Sequence, residues 1–280
     1  MQKHILVIQD ISCIGRCSLL AALPVFNAVG IRVTPLPTAL LSSHTGFPEP
    51  YRRDLTEDMS FALDQWSSFD LHFDAIHIGY LAGAHQLEVL NKAIHSYKSE
   101  NCLLFVDPVM GDWGKAYSYC DDALLQGMRQ LCKKADVILP NRTEAAMLLH
   151  ELYHKGADSP KNLLHQLTSL QSLGSPSVVI TGISGQPGYI GAACLAPGMQ
   201  TPKASFSAQV KGSWPGTGDL FAAALEAAVL YGHSLKSACD IAVRFIAQCL
   251  KHADPEPKIA RFGAPFEEAL PWLADKLIGK

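Results

Sequence analysis

The chain has 280 residues, 48% of them hydrophobic and 18% charged, and its 23 Lys and Arg against 26 Asp and Glu leave a formal charge of -3. That composition excludes a disordered chain, which is poorer in apolar residues and richer in charge. It also argues against a nucleic-acid polymer as the main partner, because such binders cluster Lys and Arg, while small phosphate ligands stay open.

From the N-terminus on, short β-rich runs alternate with longer helical patterns. Strands are expected at His4–Gln9, Ile31–Leu36, Ala75–Gly79, Leu103–Asp107, Val137–Pro140 and Val178–Thr181, with helices near 15–29, 55–67, 85–98, 121–133, 142–150 and 160–172. Most of the strands are continuous apolar runs, as expected of strands covered on both faces. The βαβα rhythm implies an α/β fold with a parallel sheet and helices on both sides. After Thr181 the pattern changes: Tyr189–Leu195 and Ala204–Val210 read as a hairpin or meander, followed by helices near 218–231 and 235–250. No repeat, low-complexity tract or domain-separating linker interrupts residues 1–280, so a single domain is expected.

The eight cysteines, at 13, 17, 102, 120, 132, 194, 239 and 249, include no CxxC pair. They read as reduced thiols used as small core residues. Cys13 and Cys17 bracket Gly15, where packing is preferred over a metal pair. The apolar run Ile5–Ile8 is too short for a signal-peptide core, and Leu220–Tyr231 contains Glu226, so a cytoplasmic, soluble protein is expected.

Ligands of open α/β sheets bind beyond the carboxyl ends of the strands. In this chain those ends carry Asp10 and Ser12, Gly79-Tyr80, Asp107 to Asp112, Asn141 to Glu144, and Thr181-Gly182. For each alone a turn residue or helix N-cap is the preferred reading; their recurrence on one edge makes a site the better reading of the set.

The strongest local signal is Gly216-Thr217-Gly218-Asp219 ahead of an apolar helix. Glycines that expose successive N–H groups at a helix N-terminus make an anion cradle. An acid beside a bound anion is a poor phosphate binder but a sensible general base for an attacking hydroxyl. In isolation that role and a plain acid in the first helical turn are equally good readings. No GxxxxGK[ST] string is present, and Gly182, Gly185 and Gly188 read as turns.

Taken in order, Ile8-Gln9-Asp10 with Gly15, Ser43-His44-Thr45, Gly79-Tyr80-Leu81, Asp107-Pro108-Val109-Met110-Gly111-Asp112, Pro140-Asn141 with Glu144, Ile180-Thr181 and Gly216-Thr217-Gly218-Asp219 resemble the ribokinase-like superfamily and, within it, the vitamin B6 (pyridoxal) kinases. The resemblance covers nearly the whole chain. It implies a three-layer sandwich with a reduced lid, and ATP-dependent phosphorylation of the 5′-hydroxymethyl of pyridoxal, pyridoxine or pyridoxamine. Asp219 would be the base, with the N–H groups of Gly216, Thr217, Gly218 and Asp219 on the transferring phosphoryl group. Asp107, Asp112 and Glu144 would surround Mg²⁺ and the phosphates, partly through water. Asn141 and Thr181 would contact ATP phosphates, Thr181 also lying near a monovalent cation (K⁺ or Na⁺). Thr45 and Tyr80 would hold the pyridine ring, and a homodimer is implied.

One departure stands out. Many members have Ser where this chain has Asp10, with Ser12 two places on. Asp10 either accepts a hydrogen bond from a protonated ring nitrogen or the 3-hydroxyl, or faces water as a turn acid. For His44, His77, Trp113, Tyr117, Trp214, Lys115 and Lys211 the ordinary readings are preferred: an exposed loop histidine, a satisfied strand histidine, packing aromatics and solvated lysines. The alternatives are a hydroxymethylpyrimidine kinase, whose members commonly carry Cys at the position of Asp219, a sugar kinase, and a non-catalytic binding protein on the same fold.

Overall fold

A computed structural model describes residues 2–279. In chain order the elements are β1 (His4–Ser12), α1 (Ser18–Ala28), β2 (Arg32–Leu41), β3 (Arg52–Asp54), α2 (Thr56–Trp66), β4 (Ala75–Ile78), α3 (Leu87–Tyr97), β5 (Leu103–Val106), β6 (Gly111–Asp112), β7 (Lys115–Ala116), α4 (Asp122–Lys134), β8 (Val137–Ile138), α5 (Arg142–Leu149), α6 (Pro160–Gln171), β9 (Ser177–Ile183), β10 (Tyr189–Leu195), β11 (Lys203–Ala208), α7 (Thr217–Leu230), α8 (Leu235–Cys249), α9 (Pro257–Ala260) and α10 (Leu270–Ile278).

Nine strands form one sheet in the order β11-β10-β9-β8-β5-β4-β1-β2-β3. The six inner strands from β9 to β2 are mutually parallel, and the outer pairings are antiparallel. Alternate residues of each parallel strand feed two cores. Ile5, Val7, Ala75 and Phe105 pack under α1, α7 and α8, whereas Leu6, Ile8, Ile76, Ile78 and Leu104 pack under α2 to α6. The expected three-layer α/β sandwich is borne out, and the strand order turns back between β1 and β4, where a ligand crevice is expected.

Two expectations are corrected. β2 runs on to Leu41 although it contains Pro35 and Pro37. Both prolines precede the stretch of β2 that pairs β3, so at those positions only the β1 side of the strand is laddered. The β6–β7 hairpin, β3 and the helices α9 and α10 were not expected: β3 is Arg-Arg-Asp and exposed, and β6 and β7 are two residues each. No described helix is long and apolar enough to cross a membrane.

Candidate active site

Thirteen residues singled out by their place in the sequence (Asp10, Ser12, Thr45, Tyr80, Asp107, Asp112, Asn141, Glu144, Thr181, Gly216, Thr217, Gly218 and Asp219) line one cavity of about 660 Å³ at the carboxyl edge of the sheet. The topology brings them together, since β1, β4, β5, β8 and β9 all end on that edge.

Asp219 occupies the first turn of α7, whose N-cap Gly216 is left-handed (φ 81°). A Cβ on Gly216 would lie 1.7 Å from the Arg16 carbonyl oxygen, so only glycine lets this turn rest on the loop after β1. Gly218 is different. Its φ is not positive, and a Cβ there would meet no protein atom within 4 Å. Protein packing does not require glycine at that position, which borders open cavity.

The Gln9 side-chain amide donates to Asp219 Oδ1 at 2.5 Å. Desolvation, with repulsion from Asp10, pushes Asp219 up to about 6, while the Ser18 backbone, His77 and Gln9 hold it from rising further. Burial and the Asp219 charge likewise raise Asp107. Gln9 is the site residue that sequence reading passed over. Its signal was a polar residue at the carboxyl end of an otherwise apolar strand.

Asp10 is buried, accepts from the Ser12 hydroxyl at 2.8 Å through Oδ2, and has no partner for Oδ1 among the described residues. Burial raises its pKa. A buried carboxylate oxygen without a donor, on the cavity wall, is costly unless a ligand supplies the hydrogen bond. Tyr80 and Tyr119 meet edge-on with ring centroids 4.8 Å apart, and Tyr117 stacks on Tyr119 at 5.7 Å, giving an aromatic wall suited to a flat ring.

Across the cavity, Asn141 and Glu144 form the capping box of α5. Asn141 Oδ1 accepts from the Thr143 and Glu144 amides, and Nδ2 donates to the Gly111 carbonyl, leaving one side-chain N–H for a ligand. Glu144 accepts from Met110 N and Asn141 N, one on each carboxylate oxygen. Both oxygens are therefore engaged, and burial with the nearby Asp107 charge raises this acid well above the usual range. Among the described residues no three His, Cys, Asp or Glu side chains form a ready-made cation cage, so Asp107, Asp112 and Glu144 do not make one by themselves.

Several ordinary readings change. His44 is buried rather than exposed, its Nε2 donating to the Arg261 carbonyl at 2.7 Å and its Nδ1 accepting from Gly46 N. Trp113 is not a packing residue: it is 70% exposed at the tip of the β6–β7 hairpin with φ 52°. His77 is buried against Glu226 and keeps one ring nitrogen unpartnered.

The phosphomethylpyrimidine kinase family model matches residues 51–260. The chain belongs to this family. A crystal structure of a Bacteroides thetaiotaomicron member, named as a phosphomethylpyrimidine kinase and solved with pyridoxal, is 32% identical, with 98% of this chain and 96% of that one covered at a TM-score of 0.92. The pyridoxal kinase of Lactobacillus plantarum is 30% identical, covering 98% of this chain and 97% of that one at a TM-score of 0.85. A Schizosaccharomyces pombe protein provisionally named a pyridoxal kinase is 31% identical over 150 residues, 52% of this chain, and the match spans 48% of that protein, about half its length. The resemblance to pyridoxal kinases read from the motifs is borne out. The family's name does not fix the ring its members take, because the Bacteroides member was solved with pyridoxal.

Proposed function

We propose that this chain transfers the γ-phosphoryl group of ATP to the 5′-hydroxymethyl of a B6 vitamer. The observation that carries the reading is the placement of Asp219. A half-buried carboxylate held by Gln9 stands in the first turn of α7 beside the free-lying Gly218, in the same cavity as the tyrosine wall. A flat ring on that wall puts its hydroxymethyl arm toward Asp219, which takes the proton as the oxygen attacks. The N–H groups of Gly216 to Asp219 and the positive end of α7 meet the phosphoryl charge. Asp10 Oδ1 accepts a hydrogen bond from the ring, and Thr45 lines the same cavity. A hydroxymethylpyrimidine offers the same reacting arm, so it is the comparison substrate.

The donor set beside the base is oxygen only, which fits a hard divalent cation. Asp107 and Asp112 would hold Mg²⁺ largely through water and ATP oxygens, because both Glu144 oxygens are bound to backbone N–H groups. When bound, Mg²⁺ neutralises phosphate charge. Asn141 and Thr181 line the same cavity and in this reading contact the nucleotide phosphates, and a monovalent cation near Thr181 and a homodimer are part of the same proposal.

Two expected results follow from this reading. A base works only when ionised, so kcat/KM for the vitamer should fall as pH drops through about 6 and level off above it. The groups around Asp219 are Asp10, Asp107, His77, Gln9 and the Ser18 backbone; Asp107 is itself raised to about 7, and the fall assigned to the base is the one that Asp219→Asn abolishes. A flat profile from pH 5 to 8 would contradict the assignment. Second, Asp10→Ser should change KM unequally among pyridoxal, pyridoxine and pyridoxamine while KM for ATP stays within about twofold; equal shifts for all three vitamers would take Asp10 away from the ring.

A further inference from the structure

One charged pair lies deep in the apolar layer between the sheet and α7. His77, in the middle of β4, is 2% exposed, and Glu226, on α7, is fully buried. Nδ1 of the imidazole meets Oε1 of the carboxylate at 2.7 Å. The strand neighbours of His77 in register are Val7 on β1 and Phe105 on β5. His77 Nε2 and Glu226 Oε2 have no partner among the described residues.

As a stabilising device this arrangement is poor. A buried ion pair recovers its desolvation cost only when the remaining polar atoms are satisfied, and apolar replacement of both partners is often neutral or stabilising. Its location supplies another purpose. Side chains two residues apart on a strand share a face, so Gln9 follows Val7 and Asp107 follows Phe105 directly above His77. Asp219 precedes Glu226 by seven residues, about two helical turns, and therefore lies on the same face of α7. The pair occupies the layer immediately beneath Gln9, Asp107 and Asp219.

We propose that His77 and Glu226 are positioning residues for phosphoryl transfer: the pair ties α7 to β4 and sets an imidazole held by a carboxylate under the Asp107 and Asp219 cluster. His77 attracts both acids, lowering the pKa of each, and they in turn raise its own along with Glu226. With an apolar pair in their place, Asp107 and Asp219 would lie over a floor with no opposing charge. Gln9 completes the arrangement by fixing the Asp219 oxygen from the neighbouring strand. This inference rests on the reading of Asp219 as the base.

The test begins with the wild-type chain, Mg-ATP and pyridoxal, then compares His77→Leu/Glu226→Leu and Glu226→Gln. Absence of turnover in the wild type with every vitamer and with hydroxymethylpyrimidine would overturn the proposed function. Given an active wild type, the double variant should fold with an equal or higher Tm, keep both KM values within about threefold, and lose kcat by about tenfold or more. Glu226→Gln keeps the side-chain shape and the acceptor for Nδ1, and should show the same split in smaller measure. Wild-type kcat in either variant overturns the inference and leaves the kinase reading intact. A double variant that fails to fold also overturns it, since the pair would then be a structural necessity.

Discussion

Asp219→Asn is expected to lower kcat for the vitamer by about 10²-fold or more while the Kd for ATP changes by less than about twofold. The substitution is informative because so little else changes. Asn retains the Oδ1 acceptor for the Gln9 amide, and its volume matches the acid. What disappears is the proton acceptor and one negative charge. That charge lies close enough to Asp107 to raise its pKa, and Asp10 raises that of Asp219 in turn, so its removal relieves repulsion. Tm should therefore hold or rise as activity collapses. Thermal unfolding measured beside single-turnover kinetics would check both halves; near-normal turnover would end the case for Asp219 as the base, and a large fall in Tm would reduce the loss to misfolding.

The second large effect separates the two glycines of the same loop. Gly216→Ala places a methyl group 1.7 Å from the Arg16 carbonyl oxygen and forces alanine into a left-handed conformation, at about 1–2 kcal/mol for the backbone alone. Stability and activity should fall together. Gly218→Ala meets no protein atom and replaces glycine by alanine in the first turn of a helix, which favours folding by up to about 0.5–1 kcal/mol. Its methyl group projects where the phosphoryl group would lie. The expected result is an unchanged or higher Tm with kcat/KM lowered by about tenfold or more, read by calorimetry and a coupled kinase assay. Full activity in Gly218→Ala would mean that the loop does not approach a phosphate closely.

The same two glycines show what was legible in the sequence. Gly216 to Asp219 is visible as a string, and so is its position before an apolar helix. Which glycine is steric and which is open depends on Arg16, some two hundred positions earlier in the chain, and no local pattern records that. The parallel strands were legible because each is a continuous apolar run with a polar residue at its carboxyl end. Their common edge then gathers the thirteen candidate residues around one cavity. The short β6–β7 hairpin was not legible, since two-residue strands leave no periodicity to read. Asn141 and Glu144 could be read from the sequence as a pair on that edge, but their mutual capping, which engages the Asn141 carbonyl and both Glu144 oxygens, appears only in three dimensions. His77 is the plainest case. An isolated histidine in a strand reads as satisfied core, and the partner that makes it otherwise is 149 residues away on α7.

The chain's small excess of acid over base is also explained by the fold. In the proposed reading phosphate recognition falls to backbone N–H groups and a helix terminus, neither of which enters a count of Lys and Arg. Asp107, Asp112, Glu144 and Asp219 all border the cavity, so four of the chain's acids lie at the candidate site rather than on the outer surface.

Vitamer kinase activity is decided by product formation from the purified chain with Mg-ATP, offered pyridoxal, pyridoxine, pyridoxamine and hydroxymethylpyrimidine in parallel. Pyridoxal should be converted to pyridoxal 5′-phosphate with one ADP released per product. Phosphorylation of hydroxymethylpyrimidine with none of the three vitamers turned over would contradict it.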